Sequence, residues 1–102
     1  MCIPNDGSID GLRNDDVVEI TCDVDKNGRT PRRIGKVDEQ NLELIRRLKN
    51  YESLSSKAIR ERSRSAAIQA LTLHPLVNSY SIAVKLVDEF IEHNKNYCGG
   101  WK

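Results

Sequence analysis

The sequence predicts an α+β fold, mostly helical, with a short β-hairpin ribbon ahead of three helices. Three observations carry that expectation. Apolar residues alternate from Val17 to Val24, an Asn27-Gly28 pair follows at once, and from Asp38 onward the apolar period changes from two to the helical value. The chain has 102 residues, enough for one modest core, and is expected to form a single domain, with a lead-in and ribbon over 1–35 and helices over 36–102.

The first sixteen residues are rich in turn formers, among them Pro4, Asn5, Asp6, Gly7, Asp10 and Gly11. They read as an irregular segment anchored by Ile3, Ile9 and Leu12. In the following strand Val18, Ile20, Cys22 and Val24 share one face, while Glu19, Thr21 and Asp23 share the other. One side of the strand is therefore expected to be buried. The returning arm, Arg29 to Ile34, contains Pro31, which cannot donate a ladder hydrogen bond, so it should be short and lie at an edge.

Asp38 is a candidate N-cap for a long helix ending near Glu61, with Leu42, Ile45, Leu48, Leu54 and Ala58 along it. Ser63 or Ser65 then caps a short helix over Ala66–Leu73. His74-Pro75 stops it, because a residue before proline avoids the α region. Ser79 or Ser81 opens the last helix, expected to bury Ile82, Ala83, Leu86, Val87, Phe90 and Ile91 and to end at Gly99-Gly100.

Charge excludes some function classes. Sixteen basic and fifteen acidic residues give a net charge of +1, so no single-sign field favours nucleic acid or an anionic membrane. The longest uncharged stretch, Ala66–Val84, contains His74, Pro75 and Asn78 and is too polar to span a bilayer. Cys2, Cys22 and Cys98 form an odd, widely spaced set without a C-x-x-C pair, which points to free thiols in a reducing compartment. The start, Met1-Cys2-Ile3-Pro4, has no basic region and apolar run of a signal peptide. Cytoplasm is the expected location.

Little chemistry can be assembled from the residues. Glu89 and His93 stand four apart on one helix face, but a metal needs further ligands, and a solvated pair is the simpler account. Arg60, Arg62 and Arg64 cannot share a helix face, and Arg29, Arg32 and Arg33 read as a charged strand edge that discourages aggregation. There is no G-x-S-x-G elbow, G-x-G-x-x-G turn or P-loop. Trp101 is expected to pack rather than to stack on a ligand. No catalytic, cofactor-binding or metal-binding residue is assigned.

The order of the segments is more specific than their chemistry. Ile3-Pro4-Asn5-Asp6-Gly7-Ser8-Ile9-Asp10-Gly11-Leu12 leads into Val17-Val18-Glu19-Ile20-Thr21-Cys22. Asn27-Gly28 and Pro31 follow, then Ala70-Leu71, His74-Pro75-Leu76-Val77 and an acidic amphipathic helix. This string resembles the C-terminal segment of glycoside hydrolase family 4, and among its members most the bacterial 6-phospho-β-glucosidases. The resemblance runs from about Ile3 to Tyr97; it departs at Lys36-Val37-Asp38, where many members place a proline before the helix.

The resemblance implies a partial domain, like the C-terminal part of a lactate/malate-dehydrogenase-like substrate domain. For the intact enzyme it implies NAD, a divalent metal such as manganese, and 6-phospho-glucoside substrates. Hydrolysis would proceed through transient oxidation of the sugar rather than through paired carboxylates. Cys22, Cys98, His74 and His93 match none of the family's ligands, so the resemblance places no cofactor on this segment. It implies a structural role, with self-association as a homodimer or higher oligomer. A stand-alone interaction module that self-associates is the alternative.

Overall fold

The computed structural model describes residues 1–102 as strands β1 (Cys2–Pro4), β2 (Val17–Glu19), β3 (Cys22–Asp25) and β4 (Gly28–Pro31), then helices α1 (Glu39–Glu61), α2 (Arg64–Leu73) and α3 (Tyr80–Asn94). The backbone divides into two compact units, Met1–Arg46 and Arg47–Lys102, with the boundary inside α1.

In Met1–Arg46 the expected single ribbon is two antiparallel two-stranded sheets, β1–β2 and β3–β4. The segment read as one strand from Val17 to Val24 changes partner at Ile20-Thr21. Val18 lies opposite Ile3, whereas Cys22 lies opposite Pro31. Between them Ile20 exchanges both backbone hydrogen bonds with Met1, at 3.1 and 2.7 Å. The residues read as an irregular lead-in thus supply a strand of their own. Alternation holds as far as Val18 and Ile20, 5% and 6% exposed, and then fails: Val24 is 69% exposed. Cys22, at the start of β3, still packs against the buried cluster, but the rest of β3 and all of β4 are exposed, so the period-two pattern ends there.

Ile3, Ile9, Val18 and Ile20 form the buried cluster of this unit, flanked by Leu12, Cys22 and Val37. The Asn-Gly turn is displaced by one residue. Lys26 and Asn27 occupy the loop, and Gly28, at φ 124°, already pairs with Asp25. Gly11 lies at φ 88°, and a Cβ there would stand 2.9 Å from the Arg46 guanidinium and 3.0 Å from Leu42. Arg46 donates to the Gly11 carbonyl at 2.8 Å; a Cβ would displace only the ends of the Arg46 and Leu42 side chains, so it is the left-handed backbone that favours glycine here.

In Arg47–Lys102 the helix boundaries follow the cap chemistry. Ser63 accepts from Ala66 N–H and Ser79 from Ile82 N–H, each with an extended backbone. His74 ends α2 in the extended conformation required before Pro75. Arg47 secures this bend by donating to the Leu73 carbonyl at 2.7 Å and to the Asn78 side chain. Ile68, Ala83 and Val87 form the α2–α3 core, with Leu71, Val84 and Ile91 packed around them. Burying side chains of the size of Ile68 and Val87 contributes roughly 1.5–3 kcal/mol each.

Helix α3 departs from expectation at both its face and its end. Ala83 and Val87 are buried, but Ile82 and Phe90 are 50% and 54% exposed. The helix stops at Asn94, before Gly99-Gly100, because Tyr97 and Cys98 N–H both turn back to the Asn94 carbonyl. The tail then returns to the α1–α2 link. Lys102 N–H donates to the Arg62 carbonyl, and Arg64 N–H to the Lys102 carbonyl, both at 2.8 Å.

Candidate functional site

In Arg47–Lys102 an open apolar groove of about 290 Å³ is walled by the second half of α1, by α2, by α3 and by the returning tail. Ala58, Leu71, Val87 and Ile91 line it, with Tyr51 and Trp101 as its aromatic members. Trp101 packs here, as expected, and the tail hydrogen bonds of Lys102 hold it near the α1–α2 link. No carboxylate, imidazole, ammonium or guanidinium lines the groove. Its chemistry is that of a surface that excludes water, with no general acid, base or nucleophile paired to a base.

The ionisable residues noted from the sequence are dispersed. His74 Nδ1 accepts Leu76 N–H at 3.1 Å, and its ring stands edge-on to Tyr51 with centroids 4.6 Å apart. It fastens a bend. Glu89 and His93 are exposed on α3, and no group of three His, Cys, Asp or Glu side chains gathers anywhere to hold a metal ion.

The arginine clusters are opened by carboxylates. Arg64 grips Asp88 through two hydrogen bonds of 2.7 and 2.9 Å, which hold the Asp88 carboxyl below its ordinary value. Arg32 does the same to Asp23, lowering that carboxyl, and Arg33 reaches Asp10 at 2.8 Å. The three cysteines are unpaired; Cys2 and Cys98 are exposed and Cys22 is half-buried.

Two organising residues escaped the sequence reading. Asn5 is fully buried, and its amide holds both backbone groups of Ile9 and the Leu12 carbonyl. In sequence it is one turn former among many. Arg47 binds the α2–α3 bend, but sits in a helical run where an arginine signals only solvent.

Comparison with known proteins places this architecture. A family profile described as the family 4 glycosyl hydrolase C-terminal domain matches residues 1–77. A maltose-6'-phosphate glucosidase of Clostridium acetobutylicum is 36% identical over 97 residues, which cover 95% of this chain and 22% of that protein. The 6-phospho-beta-glucosidase BglT of Thermotoga maritima is 39% identical over 94 residues, 91% of this chain and 22% of that one. The crystal structure of a 6-phospho-alpha-glucosidase from gut microorganisms, in complex with NAD and Mn2+, superposes with a TM-score of 0.92 at 30% identity. It covers 99% of this chain, which in turn covers 23% of it. The chain therefore spans about a fifth of the length of the relatives it matches.

Proposed function

This chain belongs to the family 4 glycosyl hydrolases, whose C-terminal domain it matches, and on that premise we propose that it is the non-catalytic C-terminal portion of an NAD- and metal-dependent 6-phospho-glycosidase. The observation that carries the reading is the extent of the match: essentially the whole chain superposes on a solved family member while covering 23% of it. The intact enzyme hydrolyses the glycosidic bond of 6-phospho-glucosides in the cytoplasm, and residues 1–102 serve it as one C-terminal domain that completes the substrate domain.

NAD and manganese belong, in this reading, to sequence outside this chain. The residues present fit neither group. The chain has no glycine-rich phosphate loop, and its two histidines and three cysteines converge on no common point. No step of the reaction is assigned to them. The contribution of the chain is architectural, through the apolar surfaces it offers and the position it gives the α2–α3 bend.

Self-association belongs to the same proposal. Two-stranded sheets leave open edges in Met1–Arg46, and large apolar side chains such as Val24, Leu76 and Phe90 stand exposed. The alternative, a stand-alone interaction module, draws on the closed internal hydrogen bonding, in which no buried side-chain polar atom lacks a partner. Assay of the isolated chain with NAD, manganese and a chromogenic 6-phospho-glucoside tests the proposal. No release of chromophore above buffer is expected, and NAD-dependent turnover would overturn it. No helix is long and apolar enough to cross a membrane.

A further inference from the structure

The turn of the β3–β4 arm carries a reactive pair that the architectural role leaves unused. Of the eight asparagines in the chain, Asn27 alone precedes a glycine. We propose that Asn27-Gly28 is a site of self-modification: the Gly28 main-chain nitrogen attacks the Asn27 carboxamide, and water completes the conversion to aspartyl and isoaspartyl residues. The inference does not depend on the family assignment. It concerns bonds made and broken inside the turn, with water as the one reactant from outside.

The step balances without a cofactor. Hydroxide removes the proton of the Gly28 amide nitrogen, which then adds to the side-chain carbonyl carbon of Asn27. The bond from that carbon to the side-chain nitrogen breaks, and the nitrogen takes a proton from water and leaves as ammonia. The five-membered imide that remains takes up one water. Opening at the former side-chain carbonyl gives aspartate, and opening at the main-chain carbonyl gives isoaspartate, whose chain runs on through the side chain. No group is oxidised or reduced. Either product replaces a neutral amide with a carboxylate, which takes the net charge of +1 to neutral.

The structure supplies what the step needs. Asn27 is exposed, and it is held through its backbone N–H, which donates to Asp25 Oδ1 at 2.7 Å, while its carboxamide makes no hydrogen bond. Gly28 offers an unscreened nitrogen, since no atom stands within 4 Å of where a Cβ would be. The pairing of Gly28 with Asp25 must open for the attack. Opening uncovers no core, because β4 is exposed throughout and only Cys22 of β3 is half-buried. A two-stranded ladder of this kind is marginal by itself and opens locally at low cost.

The other asparagines lack one or more of these conditions. Asn5 is buried with both ends of its amide bonded, Asn78 accepts from Arg47, and Asn94 donates to the Phe90 carbonyl. Asn41 and Asn50 lie within α1, where helix hydrogen bonds occupy the following nitrogen. Asn14 and Asn96 precede Asp15 and Tyr97, whose side chains screen it. At Asn27 the isoaspartyl product would add a carbon to the main chain and set a carboxylate beside Asp25. Pairing of Asp23 with Thr30 should loosen, and the Ile3, Ile9, Val18 and Ile20 cluster should hold.

The test is warm incubation of the full chain at mildly alkaline pH, in native buffer and in urea, with peptide mapping by mass spectrometry. A protein isoaspartate methyltransferase with S-adenosylmethionine reports the isoaspartyl product. Asn27 should convert first, to both products, at a rate that rises with hydroxide and lies within about tenfold of the rate in urea. Slower native conversion than that overturns the proposal, because the folded arm would then protect the turn. Aspartate without isoaspartate overturns the cyclic step, and earlier conversion of any other asparagine overturns the choice of site. Asn27→Ser should abolish the early release of ammonia, and release at the wild-type rate overturns the assignment. In the converted protein, amide exchange at Thr30 should quicken while that at Ile20 holds; an unchanged Thr30 overturns the predicted loosening.

Discussion

Replacing Asn5 by alanine removes a side chain that no solvent reaches. Its Oδ1 accepts Ile9 N–H at 2.8 Å, and its Nδ2 donates to the Ile9 carbonyl at 3.1 Å and to the Leu12 carbonyl at 3.4 Å. Ile9 is itself only 9% exposed, and neither of its backbone groups takes part in another backbone hydrogen bond outside the strands and helices. A buried donor or acceptor left alone costs about 1–3 kcal/mol. The two Ile9 groups, with a smaller share from the longer Leu12 contact, place the loss at roughly 3–5 kcal/mol. Domains of this size unfold with about 5–15 kcal/mol, so the variant should lose a large fraction of its stability. Urea unfolding followed by far-UV circular dichroism measures the loss, and amide hydrogen exchange at Ile9 localises it. Asn5→Asp keeps the acceptor but loses both donors and buries a carboxylate, so it should fare no better at neutral pH. A loss below about 1 kcal/mol for Asn5→Ala would refute the reasoning, because it would mean that Ile9 does not depend on the amide.

Thiol labelling of the native chain should modify Cys2 and Cys98 quickly and Cys22 more slowly, and equal rates for all three would count against the β3 burial. Ala83 is 0% exposed between α2 and α3, so Ala83→Leu should destabilise by about 1–3 kcal/mol in thermal or urea unfolding, and a neutral result would mean that this seam is loosely packed. Asp88 is held below its ordinary value of 3.8, first by its hydrogen bond from Arg64, and Asp23 likewise by its bond from Arg32. A folded carboxyl with a depressed value adds stability that is present above the unfolded value and is lost as pH falls through the folded one. The melting temperature should therefore decline below pH 3.8, and Asp88→Asn should flatten part of that decline; an unchanged acid limb in the variant would show that the pair does not act.

The helical half of the fold was legible because its signals are local. Ser63, His74-Pro75 and Ser79 act through hydrogen bonds and torsions within four residues of themselves, and each ends or starts a helix where expected. The β half was less legible. Alternation reports which side chains share a face, but not which strand will pair with which, and so Val17–Val24 gave no sign that its two ends serve different sheets. The strand Cys2–Pro4 is too short, and too close to turn formers, to announce itself. On α3, Ile82 and Phe90 look as apolar as Val87, and periodicity alone cannot say which of two adjacent apolar faces the chain covers. Function was legible only through the order of motifs. No catalytic motif could be read from the segment, and the information lay in the resemblance of the Ile3–Leu12 and His74–Val77 strings to a family, which the match over residues 1–77 bears out.

The central claim is that this chain supplies the architecture of a catalytic site whose reactive groups lie elsewhere. The most direct measurement is turnover of a chromogenic 6-phospho-glucoside by a chimera in which these 102 residues replace the matched 22% of BglT, compared with the isolated chain and with the truncated enzyme. The chimera should release chromophore only with NAD and manganese present, while the chain and the truncated enzyme release none. A folded chimera without activity, or NAD-dependent turnover by the isolated chain, would contradict the account.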